Sequence, residues 1–345
     1  MPELNLALLG FGNVGQEFCR ILNEQNERWA ADYGFCYKVV ALATRSRGTL
    51  FDEKGINLER ALEEIATNGC FTSSNPAYSQ ISPIAITALA CVDLVFEITT
   101  LNINDGEPAT AHIAAALENG KQVITANKGP IAFNFHKLKS LAEKKDRHFL
   151  FEGTVMDGAP VFNLVRETLP GCRVTGFSGI LNSTTNYILC EMAAGKSFET
   201  ALQKAREMGW VEADPSHDLD GWDAAAKTAA LLNVLMSAKT TPLQIARTGV
   251  SAISAEMIAA AAAEGKVIKL LCEGYMVNGA ARGRVAPVNL DRDHPLARIS
   301  GTTSALTIET DFAGKLTIEI EEPKIEQTAY ALISDLLTIA KRLNQ

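Results

Sequence analysis

The sequence predicts an α/β fold, namely a doubly wound parallel sheet followed by a second, α+β region. Two observations lead to this prediction. In the first 150 residues, short apolar runs alternate with segments of helical periodicity, and each run suits a strand that is buried on both faces. After residue 150 the pattern changes, and helical segments are combined with strand-like segments, several of which have alternating polarity.

The strands of the first part are short apolar runs, and the segments between them carry helical patterns. The predicted strands cover residues 4–9, 38–43, 92–98, 122–125 and 147–151. The predicted helices cover residues 13–31, 57–68, 107–119 and 131–145. Because each strand is followed by a helix, the strands are expected to run parallel, with helices on both faces of the sheet.

The second part is predicted to pack an antiparallel or mixed sheet against helices. Its helices are expected near residues 160–168, 184–194, 198–208 and 219–237. Its strands are expected at residues 173–181, 265–276, 282–288, 304–310 and 315–321. Residues 324–343 again have apolar positions at helical spacing, which predicts a last helix that returns to the first part.

Composition excludes several classes of function. The chain has 345 residues and a formal net charge of −8, so it lacks the basic surface that nucleic acid requires. No apolar run approaches the roughly 20 residues of a membrane helix, and the first residues lack the basic start of a signal peptide. The seven cysteines form no Cys-x-x-Cys pair, and Cys19, Cys91 and Cys190 lie in apolar contexts. Reduced, mostly buried thiols in a cytoplasmic protein are therefore expected.

A glycine-rich turn, Gly10-Phe-Gly-Asn-Val-Gly15, follows the first strand and opens the first helix. Gly10 permits a tight turn, Gly12 lets the backbone approach a pyrophosphate, and Gly15 lets helix and strand pack closely. The helix N-terminus supplies amide donors and a positive dipole end. This pattern predicts a Rossmann-type dinucleotide site. The residues expected to contact the cofactor are Gly10, Gly12, Asn13, Val14, Gly15 and Thr99.

The end of the second strand bears on the choice between NADP and NAD. NAD sites usually place Asp or Glu there for the ribose 2′-hydroxyl. This chain has Ala43-Thr-Arg-Ser-Arg47, without a carboxylate. The guanidinium groups of Arg45 and Arg47 suit a 2′-phosphate, so NADP is the predicted cofactor and NAD the alternative.

Two lysines are candidates for proton transfer. Lys128 follows the strand 122–125, at the carboxyl edge where open α/β sheets bind ligands. Lys227 lies four residues after Asp223, so the two share one face of a helix. A lysine beside the reacting carbon can protonate a developing alkoxide, or take a hydroxyl proton in the reverse direction.

Several motifs together resemble the homoserine dehydrogenase family. They are Ala126-Asn-Lys-Gly129, Gly179-Ile-Leu-Asn-Ser-Thr-Thr-Asn-Tyr187, Gly209-Trp-Val-Glu-Ala-Asp-Pro215 and Asp218-Leu-Asp-Gly-Trp-Asp-Ala-Ala-Ala-Lys227. The resemblance implies hydride transfer between a nicotinamide cofactor and L-aspartate 4-semialdehyde or L-homoserine. Together with the change of pattern near residue 150, it predicts a dinucleotide-binding domain at 1–150, a substrate and dimerisation domain at 151–322, and a returning helix at 323–345.

The resemblance also implies roles for single residues. Lys128 and Lys227 would transfer the proton, and Asp223 would orient Lys227. Lys128 would also contact the cofactor. Glu212 would bind the substrate ammonium group. The other residues implied to contact the substrate are Asp218, Thr184 and Ser183. Residues 152–160 resemble a segment that binds a monovalent cation such as sodium, through Glu152 and the carbonyl groups of Val155, Asp157 and Ala159.

The chain departs from the family pattern at three places. Met156 and Asp157 stand where relatives usually have two glycines, and Ser183 stands where they usually have one. The stretch 320–329 lacks the glycines that normally precede the last helix. Two alternatives therefore stay open: a paralogous dehydrogenase for another small hydroxy acid or amino aldehyde, and a catalytically idle nucleotide-binding sensor. The family resemblance also implies a homodimer built through the sheet of the second domain.

Overall fold

The computed structural model describes residues 3–211 and 214–343, and it divides into two compact units. The first unit comprises residues 1–130, 134–158 and 324–345. The second comprises residues 131–133 and 159–323. Within the described residues, no helix is both long and apolar enough to cross a membrane.

The first unit is built on parallel strands connected by helices. Its strands are β1 (Glu3–Leu9), β2 (Cys36–Ala43), β3 (Thr49–Phe51), β4 (Tyr78–Ser79), β5 (Leu94–Glu97), β6 (Gln122–Thr125) and β7 (Phe149–Leu150). Its helices are α1 (Asn13–Tyr33), α2 (Leu58–Asn68), α3 (Pro83–Ile86), α4 (Ala109–Glu118), α5 (Lys128–Lys145) and, after the second unit, α12 (Ile325–Leu343).

The strand order of this sheet is β4-β3-β2-β1-β5-β6-β7. The pairs from β2 to β7 are parallel, whereas β3 and β4 form an antiparallel edge beyond β2. The chain leaves β1 towards β2 and later returns to the other side of β1 with β5. The strand order therefore reverses between β1 and β5, which is where doubly wound sheets bind ligands. The predicted α/β class is confirmed.

The core of the first unit packs helices onto this sheet. Phe18 of α1 contacts Phe96 of β5, with ring centroids 4.6 Å apart. Helix α12 packs beside α1 and adds Leu332 and Leu336 to the same apolar cluster. Because these side chains are fully buried, they hold β1, α1 and β5 in a fixed relation around the strand reversal.

The second unit is an α+β structure. Its strands are β8 (Val174–Ile180), β9 (Ala246–Arg247), β10 (Lys266–Val277), β11 (Ala280–Asp291), β12 (Ser304–Thr310) and β13 (Lys315–Ile320). Its helices are α6 (Val161–Asn163), α7 (Ser183–Ala193), α8 (Phe198–Glu207), α9 (Ser216–Leu219), α10 (Trp222–Leu235) and α11 (Ala255–Ala263).

The second sheet has the order β13-β12-β8-β10-β11-β9. All its pairs are antiparallel except β11 with β9. Helices α7, α10 and α11 pack against β10. The mixed sheet expected from the sequence is therefore confirmed. The sequence analysis assigned one helix to residues 219–237, but the chain forms α9 and α10 instead, because Gly221 between them has φ +77°. It assigned no helix to α11 and no strand to β3, β4 or β9.

A carboxylate stabilises the loop that follows α2. Glu64 accepts hydrogen bonds from the Thr72 amide (2.6 Å) and hydroxyl (2.7 Å) and from Asn75 Nδ2 (2.7 Å). Burial opposes its ionisation, but the hydrogen bonds from Asn75 and Thr72 outweigh burial and lower the pKa of Glu64 below its usual value. A carboxylate with a lowered pKa stabilises the fold above its unfolded pKa, and this stabilisation is lost as the pH falls.

We predict that Glu64→Gln lowers the free energy of unfolding at pH 7 by about 1–3 kcal/mol, because the new amide faces donors that need an acceptor. The difference from the wild type should shrink as the pH falls from about 4.5, the ordinary pKa of a glutamate, through the lower pKa of the folded Glu64 carboxyl, below which that carboxyl is also neutral. Urea unfolding at several pH values measures this. Glu63→Gln, at an exposed position of the same helix, is the matched control. A pH-independent difference would contradict the account.

Candidate functional site

The glycine turn between β1 and α1 has no space for a side chain at Gly10. This residue has φ +114°, and a Cβ atom there would lie 2.3 Å from the carbonyl oxygen of Ile98. A Cβ atom on Gly15 would lie 2.9 Å from Cδ1 of the same isoleucine. The Cβ position of Gly12, in contrast, has no described atom within 4 Å. The turn is thus packed against the chain that follows β5 and open at Gly12, which fits the approach of a pyrophosphate.

The N-terminus of α1 lies at the open side of this turn. Gly12 is the N-cap, and no side chain among the described residues caps the helix. The helix has 21 residues, and its first-turn amides, including those of Asn13 and Val14, have no partner within the helix. Amide donors and a positive dipole end at one open position suit an anionic group.

Arg45 and Arg47 lie in the short connection between β2 and β3. Thr44 closes the connection, since its hydroxyl donates to the Gly48 carbonyl (2.9 Å) and accepts from the Arg47 amide (2.8 Å). Both arginines are exposed. Gly10 N donates to the Ala43 carbonyl (2.8 Å), so the glycine turn lies at the end of β2. The arginines therefore follow the strand end that meets the glycine turn.

Lys128 is the first residue of α5, and its backbone is fixed from both sides. Asn127 caps the helix by accepting from Gly129 N (3.0 Å), and its Nδ2 donates to the Thr99 carbonyl (3.0 Å). A Cβ atom on Gly106 would lie 2.9 Å from the carbonyl carbon of Gly129, so the loop before α4 lies directly against this turn. Lys128 and Thr99, two of the predicted cofactor residues, are thus connected through Asn127.

Glu97, which the sequence analysis placed only within a strand, belongs to the same network. Its side chain is fully buried, accepts from the Thr99 hydroxyl and lies 3.4 Å from Nδ1 of His112. Its Oε2 has no hydrogen-bond partner among the described residues. The Glu97 carbonyl accepts from the Thr125 hydroxyl (2.6 Å), which connects the ends of β5 and β6. Glu97 is a carboxylate at the end of an otherwise apolar buried strand, and this feature of the sequence could have identified it as a candidate site residue.

In the second unit, one amide connects the two predicted carboxylates. Asn182 Nδ2 donates to Asp218 Oδ1 (2.7 Å) and to Asp223 Oδ2 (3.1 Å). Asn182 also caps α7, because its Oδ1 accepts from Thr185 N (2.9 Å). Sequence reasoning noted the loop but missed this role of Asn182. An asparagine just before Ser-Thr-Thr and a helix was the available signal.

Lys227 lies beside the same carboxylates. Its Nζ donates to the Leu181 carbonyl (2.6 Å) and lies 3.4 Å from Asp223 Oδ2. The side chains of Lys227 and Asp223 are 18 % and 17 % exposed, so the pair is largely buried but reachable. Because Gly221 ends α9, Asp223 falls in the first turn of α10 and Lys227 one turn later. The result is a cluster of one ammonium and two carboxylates around one amide.

The remaining substrate candidates surround this cluster on the α7 side. Thr184 donates from its hydroxyl to the Trp210 carbonyl (3.3 Å), and the Trp210 ring packs edge-on against Tyr187 at 5.0 Å. The Ser183 and Ser304 hydroxyls are 3.4 Å apart. Glu212, the predicted ligand of the substrate ammonium, lies outside the described residues.

The predicted cation segment forms a single 3-10 turn, Glu152–Thr154, and continues to Asp157. Glu152 is buried, and its amide donates to Asp335 of α12 (2.8 Å). The Asp157 side chain accepts from the Thr328 hydroxyl (2.9 Å). Within residues 3–211 and 214–343, no cluster of three or more His, Cys, Asp or Glu side chains could hold a metal ion. A cation here would depend mainly on carbonyl oxygens, including those of Val155 and Ala159.

Comparisons with known proteins agree with both halves of this description. The family model for homoserine dehydrogenase matches residues 160–337, and the model for the NAD binding domain of homoserine dehydrogenase matches residues 10–152. The NAD(+)-dependent homoserine dehydrogenase of Pseudomonas canavaninivorans is 35 % identical, over 98 % of this chain and 97 % of its own. The homoserine dehydrogenase of Methanocaldococcus jannaschii is 34 % identical, over 97 % and 98 %.

Solved structures show the same likeness. A homoserine dehydrogenase from Thiobacillus denitrificans has a TM-score of 0.85 and 28 % identity, and the match covers all of this chain and 74 % of that one. One from Thermoplasma acidophilum has a TM-score of 0.83 and 27 % identity, over 98 % and 99 %. Three observations lead to one conclusion: the Rossmann-type glycine turn, the cluster of lysine and carboxylates, and family matches that together span most of the sequence. The chain belongs to the homoserine dehydrogenase family, a family of NAD(P)-dependent oxidoreductases.

Proposed function

We propose that this protein interconverts L-homoserine and L-aspartate 4-semialdehyde with a nicotinamide cofactor, and that it prefers NADP. The observation that carries the proposal is the cluster of Lys227, Asp223, Asp218 and Asn182, since a lysine positioned by a carboxylate suits proton transfer to a small amino acid. The bound nicotinamide would supply or accept the hydride.

The protein's own residues would bind the cofactor and handle the proton. Gly12 and the first-turn amides of α1 would hold the pyrophosphate, and Arg45 and Arg47 the 2′-phosphate. In aldehyde reduction, the ammonium group of Lys227 or Lys128 would donate a proton to the carbonyl oxygen as the hydride arrives. In homoserine oxidation, the neutral amine would take the hydroxyl proton. Asp223, 3.4 Å from Lys227 Nζ, would fix the direction of that donor.

Further roles follow from the family pattern. Glu212 would bind the substrate ammonium, with Asp218, Thr184 and Ser183 around the rest of the amino acid. A monovalent cation such as sodium would bind at Glu152 and the carbonyls of Val155, Asp157 and Ala159, whose oxygens are hard donors. We also propose a homodimer through the second sheet and a cytoplasmic location, which the seven free cysteines support.

A steady-state assay tests the activity itself. Purified protein is offered homoserine and a panel of other small hydroxy acids and amino alcohols, each with NADP and with NAD. Oxidation of homoserine well above the panel supports the proposal. Preferential turnover of another compound would indicate the paralogous dehydrogenase, and no turnover with retained nucleotide binding would indicate an idle sensor.

We predict that Lys227→Met and Lys128→Met each lower kcat by about 10²-fold or more, because a positioned proton donor contributes this much. The dissociation constant for NADPH, measured by fluorescence titration, should change little for Lys227→Met. Lys204→Met, at an exposed position on α8, is the control and should keep wild-type kcat. A lysine variant with near-normal kcat would remove that lysine from the mechanism.

We predict that Glu212→Gln raises KM for homoserine far more than KM for the cofactor. The substitution removes the charge that would pair with the substrate ammonium and keeps the size of the side chain, and an unpaired ammonium in a site is costly. Initial rates with either substrate varied give both constants. Equal effects on the two KM values would assign Glu212 a structural role instead.

We predict that the double substitution Arg45→Ala and Arg47→Ala weakens NADP binding about tenfold or more and leaves NAD binding nearly unchanged. Hydrogen bonds to charged groups contribute roughly 1.5–3 kcal/mol each, so the loss of one good contact is enough. Fluorescence titration gives both dissociation constants. Arg28→Ala, an exposed arginine on α1, is the control. Equal wild-type affinity for NAD and NADP would disprove the assignment, and agree with the NAD(+)-dependent relative.

A further inference from the structure

A buried lysine and a cysteine of the second unit lie in contact, and neither has a part in the proposed reaction. Lys269 of β10 is 4 % exposed, and its Nζ lies 3.2 Å from Sγ of Cys190 on α7. Cys190 is partly buried, whereas Cys19 and Cys272 are buried. Reacting atoms that are held roughly 3–3.5 Å apart are already near the geometry of bond formation.

The other contacts of Lys269 fix its nitrogen at this position. Nζ donates to Asn186 Oδ1 (2.9 Å) and to the carbonyl oxygen of Ile299. Both of these acceptors are neutral, as is a protonated thiol. Nζ also donates a hydrogen bond to Cys190 Sγ, so three contacts hold the nitrogen beside the sulfur, and no carboxylate takes part in any of them.

Two other cysteines show what distinguishes Cys190. Burial raises the pKa of the Cys19 thiol far above its usual range and that of Cys272 to about 12, so these thiols stay protonated and unreactive. Cys272 lies on the same strand as Lys269, which makes it a matched comparison. Cys190 combines partial exposure with an adjacent amine, and these are the two requirements of a capture reaction.

We propose that Lys269 and Cys190 form a reversible sulfur–nitrogen cross-link when the protein meets a peroxide. In the first step, hydrogen peroxide oxidises the thiol to a sulfenic acid and is reduced to water. In the second step, the Lys269 ammonium first gives up one proton, the freed nitrogen lone pair attacks the sulfur, the sulfur–oxygen bond breaks, and the hydroxyl leaves as water. The ammonium of Lys269 gives one proton to that water and one to solvent, so one N–H remains and no further oxidant is needed.

The cross-link would join α7 to β10, and it would protect the sulfur from further oxidation. Thiols reverse it by attack on the sulfur, which restores the amine and forms a mixed disulfide that a second thiol resolves. The inference does not depend on the substrate, because it concerns only two residues outside the lysine and carboxylate cluster. It can therefore succeed or fail independently of the proposed activity.

The experiment treats the full-length, freshly reduced protein with equimolar hydrogen peroxide and measures its mass. The expected product is about 2 Da lighter, since the thiol and the amine each lose one hydrogen atom. Digestion should give one peptide pair joined through residues 190 and 269, which dithiothreitol separates. A disulfide would also remove 2 Da, so the peptide assignment is decisive.

Variants test whether the cross-link joins Nζ of Lys269 to Sγ of Cys190. With Lys269→Met, which keeps an unbranched side chain at the buried position and removes the nitrogen, the sulfenic acid should persist and label with dimedone at least about tenfold more than in wild type, because no amine competes. Lys269→Arg provides the same test with the positive charge kept. Cys190→Ser should abolish the cross-link, and Cys272→Ser should leave it unchanged.

Three results would overturn the inference. The first is dimedone labelling of Cys190 that is equal in wild type and in both Lys269 variants. The second is a product 2 Da lighter whose linked residues are two cysteines. The third is a product about 14 Da heavier, which would retain an oxygen atom between nitrogen and sulfur and exclude the capture step described above.

Discussion

The contact between Gly10 and the backbone at Ile98 is the constraint on which the nucleotide end of the first unit depends. A side chain at Gly10 would overlap the Ile98 carbonyl, so the turn after β1 lies against the chain just after β5. The same approach leaves Gly12 open and places Thr99 beside the turn. From Thr99, hydrogen bonds continue to Asn127 and the start of α5, where Lys128 begins the helix. Because Gly10 has no side chain, the pyrophosphate turn can approach Thr99, which is connected through Asn127 to the candidate proton donor Lys128.

In the second unit, the main constraint is that two carboxylates lie close together and are partly shielded from water. Asp218 and Asp223 would repel each other, but each accepts a hydrogen bond from Asn182, and Lys227 supplies an opposite charge. Neutral donors and one ammonium reduce the penalty of burying the two charges. The left-handed residue Gly221 is essential to this arrangement, because it separates α9 from α10 and places Asp223 at a helix start.

Sequence patterns predicted the main helices and strands well. They failed where local backbone conformation sets a helix boundary or where distant contacts give a residue its role. Apolar runs and helical periodicity located the parallel strands and α1 to within a few residues. The helix at 219–237 was divided by a positive φ at Gly221, which periodicity does not reveal. The alanine-rich α11 was missed because alanine gives little contrast between a buried and an exposed face. The role of Asn182 was missed because its partners Asp218 and Asp223 are 36 and 41 residues away in sequence.

The backbone conformation explains how two turns form at positions where the family resemblance predicts glycine but this chain has other residues. Asp157, where the family resemblance leads us to expect a glycine, has φ +50°, a left-handed conformation that aspartate tolerates better than most side chains. Its carboxylate accepts a hydrogen bond from the Thr328 hydroxyl, which connects this turn to α12. In the glycine-poor stretch before α12, Glu322 has φ +41°, and its amide donates to the Thr303 hydroxyl (3.3 Å). Each such residue costs roughly 1–2 kcal/mol of backbone strain. These two turns adopt left-handed backbone conformations without glycine, because hydrogen bonds to Thr328 and Thr303 offset part of the strain.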